Sequence, residues 1–172
     1  ARRNLTIQAS TRILCAKALI ERLQPDAAIL VFCERIAQAN LLYQLLSEKY
    51  ASQCSVYHSK LLPEARERIL SDFRSRRTRI LISCRCLDEG MDVPDAAIGI
   101  VLSSTSTTRQ RLQRLGRILR RSAQKGIATL YYLYVGASVE NAAYLSEKNE
   151  IAESFLQYLP MEDDFIHPAY ED

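Results

Sequence analysis

The chain has 172 residues, 48% of them hydrophobic and 25% charged, and a formal net charge of +3. This length and composition are typical of one globular domain and exclude a chain that is disordered throughout. No apolar run approaches the ~20 residues that a membrane-spanning helix needs, and no apolar signal core follows the first residues. The first residue is Ala rather than Met, so we expect the sequence to come from within a longer protein.

The chain alternates between helical and strand patterns. We predict helices over 9–23, 34–50, 64–76, 107–121 and 138–159, and strands over 27–33, 54–57, 79–83, 97–102 and 126–135. Ser10 or Thr11 is available to cap the first helix, and Pro63 suits the start of the third. Residues 1–8 and 160–172 are expected to be loose ends.

Wholly apolar strands that alternate with helices predict an α/β fold, in which helices cover both faces of a mainly parallel sheet. Ligands of such sheets bind at the carboxyl ends of the strands. We therefore expect the functional residues to lie just after Cys33, Tyr57, Ser83 and Leu102.

Charge is distributed unevenly along the chain. Residues 1–139 hold 22 Lys and Arg against 11 Asp and Glu, a net charge of +11, whereas residues 140–172 hold one Lys against nine acids. The basic part indicates a polyanionic partner. The acidic part has three open interpretations: a solvated end, a contact with a partner, or a cover over the basic surface.

Five cysteines give no disulfide pattern, because their number is odd. They favour a reducing compartment, and we expect an intracellular, cytoplasmic protein. Cys84 and Cys86 form C-x-C, but no second Cys or His pair stands at the spacing of a zinc site, so no metal site is predicted.

The segment after the predicted strand over 79–83 is rich in acids. Asp88 and Glu89 suit either a metal-binding or acid–base pair or an ordinary polar loop, and Gly90 suits a backbone angle that other residues avoid.

Residues 109–125 carry seven positive charges and no acid. A solvated basic face explains most of them. Gly116 costs ~1 kcal/mol relative to Ala inside a helix and so indicates a close approach or a bend. Arg117 and Arg120 share a helix face, from which two guanidinium groups can bind a phosphate chain.

Gln113 to Arg120 reads Q-x-x-G-R-x-x-R and resembles motif VI of superfamily 2 helicases. Gly90 to Pro94 resembles the end of motif V, Ile29 to Cys33 resembles motif IV, and His58 to Phe73 is similar to the stretch between those two motifs. Order and spacing agree over residues 27–135, and residues 128–155 resemble the ending of the XPB-like branch, which also holds helicase subunits of type III restriction enzymes.

The resemblance implies a three-layer RecA-like domain of the P-loop NTPase type over residues 1–160, followed by an acidic tail over 161–172. It implies the C-terminal motor lobe of an ATP-dependent helicase or translocase that acts on DNA rather than RNA. An N-terminal lobe of the same polypeptide would bind most of the ATP and Mg²⁺. The 172-residue sequence has no phosphate-binding G-x-x-x-x-G-K-[ST] loop, so we expect the chain alone to have no ATPase activity.

The resemblance also implies residue roles. Arg117 and Arg120 would be arginine fingers that reach the γ-phosphate. The residues implied at the nucleotide or the lobe interface are Gln113, Gly116, Gly90 and Asp92. Those implied at the nucleic-acid backbone are Cys84, Arg66, Ser59 and Arg85. Cys84 stands where many members have Thr or Ser, and Glu89 where many have Arg.

Two other functions remain open. The net charge of +11 over residues 1–139 would also suit a nucleic-acid-binding module without catalysis. A Rossmann-like nucleotide-binding or sugar-binding domain is less favoured, because no G-x-G-x-x-G follows the first strand. At single positions, Arg66 suits a solvated helix face, His58 suits a strand end, and the tyrosines at 131, 132 and 134 suit sheet packing better than base stacking.

Overall fold

A computed structural model describes residues 2–84, 96–102 and 129–133 of the chain. Its helices are α1 (Arg2–Arg22), α2 (Ile36–Tyr50) and α3 (Pro63–Arg74), and its strands are β1 (Ile29–Cys33), β2 (Cys54–His58), β3 (Ile80–Cys84), β4 (Ile98–Val101) and β5 (Thr129–Tyr132). A short 3-10 turn, Ala51–Gln53, links α2 to β2. In this described part of the chain, no helix is long and apolar enough to cross a membrane.

The five strands form one parallel sheet in the order β2-β3-β1-β4-β5. β1 lies at its centre, where Ile29 is in register with Ile80 of β3 on one side and with Ile98 of β4 on the other. Paired on both edges and covered on both faces, β1 requires the continuous apolar run that its sequence provides. The α/β fold with a mainly parallel sheet, predicted from the sequence, is confirmed.

Two apolar clusters hold the helices on opposite faces of the sheet. On one face, α1 and α2 pack against alternate strand residues, and the buried members include Ile13, Ile20, Leu42, Leu46, Val31 and Ile82. On the other face lies α3, and the buried members include Leu30, Leu81, Tyr57, Leu70 and Phe73. Half-buried Tyr131 packs against the first cluster, as the sheet-packing interpretation predicts.

The spacing of apolar residues in α3 sets its orientation. Ile69, Leu70 and Phe73 follow Arg66 at three, four and seven residues, which places all four on one side of the helix. Pro63 begins the helix, where its missing amide hydrogen costs nothing. Because α3 runs back from the end of β2 to the start of β3, its first turn lies where the strands end.

A buried arginine ties together the amino ends of the strands. The Arg79 side chain donates hydrogen bonds from Nε to the Ala27 carbonyl at 3.2 Å and from Nη2 to the Gln24 carbonyl at 3.0 Å. Its guanidinium lies 5.5 Å from the centre of the Tyr50 ring. Arg79 therefore links the α1–β1 loop, the end of α2 and the start of β3.

Several predicted boundaries are wrong. α1 begins at Arg2, so residues 2–8 are helical rather than loose, and neither Ser10 nor Thr11 caps the helix. No Gly or Pro interrupts residues 2–22, which therefore propagate one helix. β2 and β3 each continue one residue further, to His58 and Cys84. The predicted helices over 107–121 and 138–159 and the tail over 161–172 lie outside the described residues.

Candidate nucleic-acid interface

The four strands β1 to β4 end together at one side of the sheet, which we call the carboxyl edge. Its strand ends are Cys33, His58, Cys84 and Val101. Cys84 is in register with Cys33 on one side and with His58 on the other. All the strands are parallel, so their carboxyl ends meet at this edge, and the sequence predicts functional residues just after those ends.

Cys33, Cys84 and His58 lie in one row on the face that α1 and α2 cover. All three are buried, and Cys84 is only 3% exposed. Burial, with a smaller contribution from Cys84, raises the pKa of the Cys33 thiol from 9.0 to about 12, so this thiol stays protonated at pH values where an exposed thiol ionises. Among the described residues, no group of three or more His, Cys, Asp and Glu could hold a metal ion.

Cys84 thus belongs to the core, and the backbone contact implied for it stays a prediction. Its burial follows from its position, because strand residues alternate between faces and Cys84 continues the inward series Ile80, Ile82.

Arg66 occupies the first half of α3, at the top of the apolar stripe. The residue is half-buried, and its Nε is buried without a hydrogen-bond partner. Ser83 lies on the face of the sheet that α3 covers, and its buried Oγ also lacks a partner. On the opposite face of the sheet, His58 Nδ1 is also buried without a hydrogen-bond partner. A buried donor without an acceptor costs free energy.

The turn that joins β2 to α3, which we call the Ser59–Leu62 turn, projects from the carboxyl edge. Ser59 and Lys60 are exposed. The Leu61 amide donates a hydrogen bond to the His58 carbonyl at 3.2 Å, which closes the turn. The structure therefore brings together Ser59 and Arg66, two of the predicted backbone-binding residues, and adds Lys60 between them in sequence.

The other predicted site residues lie outside the described part of the chain. They are Arg85, Gly90, Asp92, Gln113, Gly116, Arg117 and Arg120. Cys84 and Leu102, which precede the two segments that contain them, both lie at the carboxyl edge.

Three residues of structural interest match no pattern in the sequence. Arg12 reaches from α1 to the Leu102 carbonyl, which its Nη1 approaches to 3.4 Å. Arg79 and Leu62 are the other two. In a sequence, an arginine within a helix or next to a strand is expected to be solvated. Only the fold shows which carbonyl oxygen its guanidinium contacts.

Comparisons with known proteins identify the domain. The model of the helicase conserved C-terminal domain matches residues 11–122. The DNA 3'-5' translocase XPB2 of Sulfurisphaera tokodaii is 45% identical over 64 residues, which are 37% of this chain and 15% of that protein. The ATP-dependent RNA helicase DHH1 of Debaryomyces hansenii is 27% identical over 111 residues, 64% of this chain and 21% of that protein. The matched segments thus span about a fifth of these relatives or less.

The fold agrees with the sequence match. The structure of S. cerevisiae Dbp5 bound to RNA and ADP BeF3 superposes with a TM-score of 0.70, at 19% identity, over 90% of this chain and 40% of that one. At this identity the superposition supports the fold, which is the parallel sheet covered by helices on both faces. The chain belongs to the helicase conserved C-terminal domain family, the RecA-like C-terminal domain of superfamily 2 helicases.

Proposed function

We propose that this chain is the second motor lobe of an ATP-dependent helicase or translocase, and that its carboxyl edge binds the phosphate backbone of nucleic acid. Arg66 carries the proposal, because its half-buried side chain has an unpaired, buried Nε beside the exposed Ser59–Leu62 turn. A phosphate would pair with the positive charge of the half-buried Arg66 guanidinium, and Lys60 would add a second cation.

Net charge supports the same partner. Residues 1–139 carry a net charge of +11, which favours a polyanion whatever its base sequence. We propose DNA as the substrate, because Gln113 of the motif VI pattern and the XPB-like ending both resemble branches that act on DNA. The relatives include a DNA translocase and an RNA helicase, so matched DNA and RNA strands belong in the test.

The described residues do not fit a complete ATP site. Their single glycine, Gly99, lies inside β4, so they provide no glycine-rich loop around phosphates. We propose that an N-terminal lobe holds ATP and Mg²⁺, and that residues 1–160 form the second lobe with 161–172 as its tail. The residues proposed to contribute from this side are Arg117, Arg120, Gln113, Gly116, Gly90 and Asp92, with Arg85 and Cys84 proposed at the nucleic acid.

The test measures binding of the 172-residue chain to a fluorescein-labelled single-stranded oligonucleotide across a salt series. We expect Arg66→Gln to weaken binding by roughly fivefold to tenfold and to lower the slope of log affinity against log salt by about 1. Arg68→Gln is the matched control, since Arg68 is an exposed arginine of the same helix, and we expect less than a twofold change. If both variants lost the same affinity, the effect would come from net charge alone, and the proposal would be contradicted.

A nucleic-acid-binding module without catalysis is the second candidate, favoured by the basic charge and by the lack of a phosphate-binding loop in the printed sequence. ATPase assays of the chain combined with its N-terminal lobe separate the two. A motor requires nucleic-acid-stimulated turnover that Arg117→Ala and Arg120→Ala abolish. A binding module requires nucleic-acid affinity without such turnover.

A further inference from the structure

Leu62 is unusually exposed for a large apolar side chain. It is 72% exposed, against 40% for Leu41 and 36% for Leu130, the other exposed large hydrophobic residues of the described chain. A single exposed leucine is common on protein surfaces. Its place makes Leu62 informative, because it lies at the carboxyl edge in the same turn as Ser59 and Lys60.

The backbone holds Leu62 in its outward position. Its φ and ψ are −59° and 147°, an extended conformation that the following Pro63 favours. Its carbonyl accepts a hydrogen bond from the Arg66 amide at 3.0 Å, which fixes the start of α3. Because the turn is already ordered, a partner that covers Leu62 meets little conformational entropy cost.

The surroundings of Leu62 combine charge with apolar surface. Exposed Lys60 precedes it, and Arg66, with its unpaired Nε, follows one helical turn later. Glu64 and Glu67 are also exposed on α3, so the cations do not form a uniform basic patch. A ligand that suits this turn needs separate anionic groups with an apolar face between them.

Single-stranded nucleic acid has both features, since each nucleotide joins a phosphate to a flat base. We propose that Leu62 packs against a base of the bound strand while Lys60 and Arg66 contact its phosphates. This inference rests on the proposed function, because it needs the backbone at the carboxyl edge. It adds a base contact that is apolar and therefore tolerant of base sequence, as apolar residues that pack against unstacked bases are.

Two oligonucleotides of equal length test the base contact in the 172-residue chain. One is oligo(dT), and the other is an abasic strand with the same phosphates and sugars. We expect Leu62→Ala to weaken binding of oligo(dT) about fivefold, which corresponds to about 1 kcal/mol, and to leave binding of the abasic strand unchanged. Leu62→Met keeps an apolar side chain and should retain oligo(dT) affinity.

Two controls separate the outcomes. Leu41→Ala removes another exposed leucine, on α2, and should change neither affinity. Arg66→Gln should weaken both strands, because both contain phosphates. Unchanged affinities in Leu62→Ala, together with losses in Arg66→Gln, would overturn the base contact and keep the proposed function; Leu62 would then suit a protein partner. Equal losses on both strands in Leu62→Ala would also overturn it. No binding of either strand by the unmodified chain would instead overturn the proposed function.

Discussion

Arg76 follows α3 in a backbone conformation that suits glycine better. Its φ is 62°, in the left-handed region, and its amide donates to the Phe73 carbonyl at 3.1 Å as the chain leaves the helix. A side chain at Cβ makes this region costly. We expect Arg76→Gly to raise the free energy of unfolding by about 0.5–1 kcal/mol, measured by urea denaturation.

Arg68→Gly is the matched control for this substitution. Arg68 lies inside α3, where glycine loses about 1 kcal/mol relative to a good helix former. Opposite signs for the two glycine variants would show that the effect comes from backbone conformation. Destabilisation by both would mean that the Arg76 side chain makes a compensating contribution.

Single residues of the interface were predictable only in part. Arg66 and Ser59 are predicted because they match a family pattern, and the structure brings them to one edge of the sheet. The burial of Cys84 could be foreseen from strand alternation only if the strand was known to end there. Nothing local distinguishes Leu62 from a core leucine, because its exposure depends on where the turn lies relative to the sheet.

At the scale of whole elements, Arg79 joins loops and strands through hydrogen bonds, which an apolar side chain cannot form. It provides hydrogen-bond donors to two loop carbonyls at the amino ends of the strands. Arg79→Met keeps the length of the side chain but leaves those carbonyls without this donor. We expect a loss of about 2–3 kcal/mol in the free energy of unfolding, with faster hydrogen exchange at the Ala27 amide.

Arg77 provides the comparison for Arg79. It pairs with Asp72, with 2.6 Å between Arg77 Nη2 and Asp72 Oδ1, but its side chain is 67% exposed. An exposed pair contributes little, so Arg77→Met should change the free energy of unfolding by no more than about 0.5 kcal/mol. Similar losses in both methionine variants would contradict the structural role given to Arg79.

Elements were more predictable than their ends. The run over 27–33 predicts β1, since a strand buried on both faces is continuously apolar and the run is short for a helix. The predicted start of α1 is too late, because Ser10 and Thr11 look like caps, yet a residue of a capping type inside a favourable helical sequence does not interrupt the helix. The predicted ends of β2 and β3 each come one residue early, because His58 and Cys84 look like the first residues of turns.

For the molecule as a whole, the buried thiols make the free energy of unfolding decrease at alkaline pH. Burial raises the pKa values of both Cys33 and Cys54 to about 12, from 9.0 for an exposed thiol. Above pH 9 the unfolded chain therefore releases protons that the folded chain keeps. The contribution of these groups is complete below pH 9 and decreases as the pH rises towards 12.

Urea denaturation at pH 8, 9 and 10 measures this decline. Cys33→Ala lowers stability at every pH by leaving a small cavity, but its free energy of unfolding should fall less steeply above pH 9. The slope, not the absolute value, is the readout. Equal slopes for the variant and the unmodified chain would mean that Cys33 ionises alike in both states.

The position of β1 at the centre of the sheet has a consequence for synthesis on the ribosome. β1 needs β4 on one side, yet Ile98 follows Cys33 by 65 residues along the chain. At about 5–20 residues per second, translation takes several seconds to supply the second neighbour. During that interval the most apolar strand has an open edge. Nascent chains are therefore prone to aggregate in this period, and the open edge gives chaperones a segment to bind.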